Sequence, residues 1–148
     1  MDLRNIVRAA LLLALPAALA GCGGTTDRID ITSSQHLNAC DDSGSHAVIL
    51  RIYGLKATEK FGDAEFTALW ENDRKVLGDD LATKKERTIL PGSESVRIPV
   101  PRAEGVVAIG LLANFCELKP GCWRKTIDLE KGTTEIVVNL EGTCLAVD

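Results

Sequence analysis

The chain has 148 residues, 45% hydrophobic, 26% charged and 4% aromatic, enough for one domain. Lys and Arg number 17 against 21 Asp and Glu, so the net charge is -4. An acidic chain poor in aromatics lacks the basic patch and stacking platforms of a nucleic-acid binder. Two histidines are too few for a multi-histidine metal site. No apolar run reaches the roughly 18 residues of a spanning helix.

The first predicted element is a targeting leader. Arg4 and Arg8 form a basic start, Ala9 to Ala18 is an apolar stretch of secretory length, and Leu19-Ala20-Gly21-Cys22 follows. This tetrapeptide resembles a bacterial lipobox, in which the cysteine thiol accepts a diacylglycerol. An ordinary signal peptide with a chance cysteine is the rival, and spacing, apolar run and tetrapeptide together favour the lipobox. Residues 1–21 are then a lipoprotein signal peptide, and residues 22–27 are the acylated cysteine and a flexible Gly-Gly-Thr-Thr-Asp tether. The domain occupies 28–148. The leader carries Arg4, Arg8 and Asp2, so its removal leaves a charge of -5. Two or more acyl chains anchor a protein stably. Gly23 rather than Asp after Cys22 points to the outer membrane of a Gram-negative cell.

Strands follow in sequence. Arg28 to Gln35 alternates through Ile29 and Ile31. Asn38 to Ser45 is a polar, turn-rich loop. Ala47 to Leu55 is apolar on both faces, as in a strand covered on both sides. Asp63 is placed to cap a short helix from Ala64 to Glu71. Its Phe66, Leu69 and Trp70 share one face, more in keeping with packing on a sheet than with a ligand site. Leu81 to Leu90 carries Lys84, Lys85, Glu86 and Arg87, charges that suit an edge strand. Val96, Ile98 and Val100 alternate up to Pro99 and Pro101, which again indicate an edge. In Gly105 to Phe115, Val107, Ile109, Leu111, Ala113 and Phe115 are expected on one strand face. Alternating runs at Trp123–Leu129 and Ile136–Leu140 complete seven or eight short strands with one helical insertion, an all-β sandwich.

Apart from Cys22, the cysteines are Cys40, Cys116, Cys122 and Cys144. An even number in an exported chain indicates disulfides, with three possible connectivities. Cys116 and Cys122 bracket a Pro-Gly turn. If the flanking strands form a hairpin, these two lie opposite each other and bridge, leaving Cys40 for Cys144. A zinc site is the rival. Spacings of 75, 5 and 21 intervening residues do not fit one, and His36 and His46 read as solvated loop residues.

No GxSxG, HExxH, P-loop or GxGxxG stands in the mature chain. Asp41-Asp42 and Asp79-Asp80 are adjacent carboxylates outside any calcium-loop spacing and read as solvated turns. A binding or structural role is favoured over catalysis.

The residues also carry a family resemblance. It runs from the Leu37-Asn38 to Ser43-Gly44 loop, with Asp41-Asp42 inside it, through Val48-Ile49-Leu50-Arg51-Ile52-Tyr53-Gly54-Leu55-Lys56. Phe61, Asp63-Ala64-Glu65-Phe66-Thr67-Ala68-Leu69, Leu77-Gly78-Asp79-Asp80-Leu81 and Leu90-Pro91-Gly92 follow, then Gly105-Val106-Val107-Ala108 and Trp123-Arg124. In this order, behind a lipobox, the chain resembles the outer-membrane lipoproteins of type VI secretion systems, the TssJ-like family. The resemblance implies a transthyretin-like two-sheet sandwich that is not an enzyme and carries no cofactor beyond the lipid on Cys22. It also implies a periplasmic domain, tethered to outer-membrane lipid, that binds an inner-membrane TssM-like protein and helps assemble the trans-envelope complex. No nucleic acid or small-molecule substrate is implied. The contact loop of the family maps to Asn38, Asp41, Asp42, Ser43, Gly44 and Ser45. Cys40 stands where the family often has Pro, so a disulfide there would stiffen this loop. The competing readings are an unrelated periplasmic lipoprotein that binds a small ligand or glycan, and an enzyme inhibitor.

Overall fold

A computed structural model describes residues 24–148; the leader and Cys22 lie outside the described residues. Eight strands form two four-stranded sheets. The first sheet has the order β4-β1-β7-β8, with β1 at Thr26–Ser33, β4 at Val96–Pro101, β7 at Glu135–Glu141 and β8 at Cys144–Val147. Here β1 pairs antiparallel with β4 and parallel with β7. The second sheet, β3-β2-β5-β6, is antiparallel throughout, with β2 at Val48–Leu55, β3 at Leu81–Ile89, β5 at Ala108–Ala113 and β6 at Arg124–Asp128.

Period-two alternation decides what lies between the sheets. Ile29, Ile31, Leu50, Ile109, Leu111, Ile136 and Val138 are all buried there. Each fully buried Ile or Leu contributes roughly 1.5–3 kcal/mol of transfer free energy. The two edges marked by charge and proline are edges: among the described residues β3 pairs only with β2, and β4 only with β1. At an edge the missing proline N–H leaves no ladder hydrogen bond unmade.

The second sheet is covered on its other face too, which is why β2 and β5 read as apolar throughout. A helical layer of α1 (Glu59–Asp63) and α2 (Phe66–Leu77) packs Phe61, Leu69 and Leu77 over Tyr53, Leu55, Ala108 and Leu112. Gly110 makes room for it, since a Cβ there would stand 2.9 Å from the Phe61 ring. Arg51 projects into this layer. Its guanidinium lies 3.8 Å from the Trp70 ring and donates to the Leu69 and Trp70 carbonyls. The helix breaks there: Asn72 leaves helical dihedrals (φ -139°, ψ 38°), and the Arg74 amide, the helical partner of the Trp70 carbonyl, turns to the Asp73 carboxylate. The inserted side chain accounts for the kink.

Four expectations need correction. Asp63 does not cap the long helix: it ends α1, and Glu65, without a side-chain cap bond, precedes α2. The tether does not reach Asp27, because β1 starts at Thr26 and Asp27 is 1% exposed. Val107 does not share the inner face of β5: the strand begins at Ala108, and Val107 is 51% exposed.

The fourth correction is the disulfide connectivity, which is Cys40–Cys116 and Cys122–Cys144, with Cα separations of 6.3 and 4.3 Å. The β5–β6 hairpin does form, but its register pairs Leu112 with Arg124 and continues with the Ala113 amide on the Trp123 carbonyl. Extended, that register sets Cys122 against Asn114, two residues short of Cys116. Cys122 instead lies beside β8, where its carbonyl accepts from the Leu145 amide.

A stapled loop as candidate functional site

The β1–β2 connection, residues 34–47, leaves the first sheet at Ser33 and enters the second at Val48. It is pinned from beneath by its own residues. Leu37 is fully buried in the core, and the Asn38 amide donates to the Gly142 carbonyl at 2.7 Å. Asn38 takes a positive φ of 52°, which an asparagine tolerates better than most residues. Its side-chain oxygen accepts from the Cys116 amide at 2.7 Å. Asn38 is therefore a structural hinge of the loop, 7% exposed, rather than a free contact residue. The Cys40–Cys116 bridge closes the same junction covalently.

The tip, Asp41 to His46, stands outside. Asp41 accepts from the Ser43 amide at 2.8 Å and from the Ser43 hydroxyl. These bonds, with the nearby His46, hold its carboxyl below the usual carboxylate range. Gly44 takes the positive φ of 96° that the turn requires. Ser45 donates to the Gln35 carbonyl at 2.7 Å. Asp42 makes no hydrogen bond or ion pair among the described residues, and it is exposed. Of the two carboxylates, one organises the turn and the other faces outward.

The structure adds His46, which sequence reasoning left as a solvated residue. Its Nε2 lies 2.7 Å from Ser43 Oγ and 3.8 Å from Asp41. The trio has the residue types of a hydrolytic triad but not its connections. The Ser43 hydroxyl already donates to Asp41, so the imidazole nitrogen beside it must be a donor and cannot act as its base. The carboxylate bonds the serine rather than orienting the far ring nitrogen. The group is also open to water, with His46 and Asp41 side chains 50% and 69% exposed.

A groove of about 440 Å³ lies beside the β5–β6 loop, lined by Asp63, Phe66, Leu118, Pro120, Trp123 and Arg124 among others. Its aromatics spend their faces on each other, Phe66 meeting Trp123 edge-on at 5.5 Å. Arg124 donates to the Phe61 and Ala64 carbonyls, both at 2.7 Å, and stacks on Trp123 at 4.5 Å. Burial lowers its affinity for a proton, opposed by Glu65 and Asp63. With its cation committed to the fold, the groove offers a glycan neither a free aromatic platform nor a free cation.

The two-sheet sandwich has known counterparts. The lipoprotein TssJ1 of the type VI secretion system of Pseudomonas aeruginosa superposes with a TM-score of 0.79 at 27% identity, over 84% of this chain and 95% of that one. Lip of Serratia marcescens, described as a membrane-bound component of the type VI secretion system, gives 0.79 at 18% identity over 84% and 97%. A chain in a structure described as the TssM C-terminal domain (869–1107) from EAEC gives 0.72 at 23% identity over 84% and 98%. The search of curated proteins found no match. The family described as "Type VI secretion lipoprotein, VasD, EvfM, TssJ, VC_A0113" matches residues 25–143, nearly the whole described domain, and the chain belongs to that family.

Proposed function

We propose that the chain is anchored by an acylated Cys22 in the outer membrane, faces the periplasm, and binds the periplasmic part of an inner-membrane TssM-like protein through the tip of its β1–β2 loop. It thereby helps assemble the trans-envelope complex of type VI secretion, as a structural component and not as an enzyme. It needs no cofactor beyond the covalent lipid.

The observation that carries the loop's role is its combination of exposure and rigidity. A tip fixed by Cys40–Cys116 and by Asn38 loses little conformational freedom on binding, which lowers the ordering cost. Asp42 supplies a free carboxylate that steers encounter with a basic partner surface. Family membership supports the secretion context. The occurrence of this fold in a structure described by a TssM domain supports the choice of partner.

Calorimetric titration with the purified periplasmic domain of the TssM-like protein tests this. Asp42→Ala is expected to weaken binding, with a loss that shrinks as salt rises. Equal affinities at low salt would remove Asp42 from the interface. No binding by the unaltered protein would remove the partner.

A further inference from the structure

The opposite end of the sandwich is built around the entry of the chain. The Arg102 amide donates to the Thr25 carbonyl at 2.8 Å, so the chain is already fixed at Thr25. Two residues later Asp27, 1% exposed, pairs with the Arg102 guanidinium. The same guanidinium donates to the Glu130 and Gly132 carbonyls at 2.8 and 2.9 Å, and the Thr134 amide donates to Asp27 at 2.9 Å. From that β6–β7 turn the Leu129 amide reaches the Val107 carbonyl, and the Val107 amide reaches Leu55, both at 2.8 Å. Thr25, Arg102, the turn and Val107 are thus parts of one end, hydrogen-bonded in series.

The fixed start leaves little slack. Three peptide links separate Cys22 from Thr25, and at 3.8 Å per Cα step they span at most about 11 Å. If Cys22 is acylated, as proposed above and as this inference requires, the end that carries Thr25 has nowhere to go but the headgroup region. That end presents Val107, an apolar side chain 51% exposed. With Arg102 spent on Asp27, this end carries Lys56 and Lys131 against Glu104, Asp128 and Glu130. Such a mixed surface gains little from anionic lipid, so contact has to be imposed by the tether.

We propose that this end is a lipid-contact face: the loop Ala103–Val107 and the turn Leu129–Lys131 lie against phospholipid headgroups, with Val107 at the boundary. The consequence is a fixed presentation. The eight residues of β1 rise about 26 Å at roughly 3.3 Å each, so the β1–β2 loop stands that far above the bilayer and points away from it.

The test uses the acylated protein in phosphatidylethanolamine–phosphatidylglycerol vesicles that contain a headgroup nitroxide lipid. With the four domain cysteines bridged and Cys22 acylated, Val107→Cys and Leu90→Cys each introduce a single thiol for a fluorophore; Leu90 lies at the opposite end and is 61% exposed. The label at 107 is expected to be quenched several-fold more than the label at 90. A flexible Gly-Ser insertion of about twelve residues after Gly24, with a reach near 20 Å, is expected to abolish that difference while the protein stays vesicle-bound. Equal quenching at 107 and 90 in the vesicle-bound, unlengthened protein would overturn the lipid-contact face and leave the anchoring intact. Failure of the protein to float with vesicles would instead overturn the anchoring, and this inference with it.

Discussion

The two ends of the sandwich are closed by different chemistry. The entry end is held by a buried ion pair, Asp27 to Arg102, whose spare donors satisfy turn carbonyls. The loop end is held by two disulfides that tie the β1–β2 loop to the end of β5 and the start of β6 to β8. The difference follows from what each end has to hold. At the entry end one arginine reaches both the start of β1 and the β6–β7 turn, Asp27 on one side and the Glu130 and Gly132 carbonyls on the other. At the loop end the 34–47 segment offers the core only Leu37 as a large apolar anchor, and a covalent tie replaces the missing burial. On the function proposed above, such a loop keeps its side chains outside for a partner, and its rigidity comes from cross-links rather than packing.

The largest expected effect comes from breaking the loop end. Converting Cys40 and Cys116 together to Ser opens a loop of 76 residues, and the chain-entropy relation puts the loss near 4.5 kcal/mol. The same change at Cys122 and Cys144 opens 22 residues, for about 3.4 kcal/mol. Denaturant unfolding of both pairs, with peptide mapping of the parent, checks the order and the connectivity. Mapping that returned a Cys116–Cys122 peptide would contradict the register argument.

Next is the entry end. Asp27→Asn leaves the Arg102 charge without its buried partner and is expected to cost about 3 kcal/mol near neutral pH. Burial pushes the Asp27 carboxyl up, but hydrogen bonds from Arg102 and Thr134 and the Arg102 charge outweigh it, so the folded carboxyl ionises below its usual range. A lowered folded value means that the stabilisation is complete above the unfolded value of about 3.9 and is lost as pH falls from there through the folded value. The gap between parent and variant should therefore stay constant from neutral pH down to about 5 and narrow below about 4. A gap that widened on acidification would contradict the ion-pair account.

A smaller effect lies between the ends. Gly110→Ala places a methyl 2.9 Å from the Phe61 ring and should cost about 1–3 kcal/mol through overpacking, read as a lowered denaturant midpoint. The smallest is Asp42→Ala, which touches nothing and should leave the thermal midpoint within experimental error. A large drop there would show that Asp42 holds the loop rather than faces a partner.

The strands and both sheet edges were legible because alternation, charge and proline each report a local fact: which side chains face inward and which N–H groups go unpaired. The disulfides were not. Whether Cys116 meets Cys122 depends on hairpin register, and the Pro-Gly turn does not specify it; a two-residue offset redirects both sulfurs. The helix start was misread because Thr58-Glu59-Lys60 begins an earlier short helix, which leaves Asp63 at its end. In the candidate loop the polar tip was visible from composition. The unequal roles of Asp41 and Asp42, the hinge at Asn38 and the donor role of His46 were not, since each depends on a backbone turn that the residue types alone permit but do not require.

The central claim is that one end of this lipoprotein meets the secretion partner and the other meets the membrane. Photo-crosslinking in intact cells shows which end meets the partner, with a photoreactive side chain placed at Asp42 in one strain and at Lys131 in the other. The account predicts a covalent adduct with the TssM-like protein from position 42 and none from position 131. An adduct from position 131 with none from position 42 would contradict it.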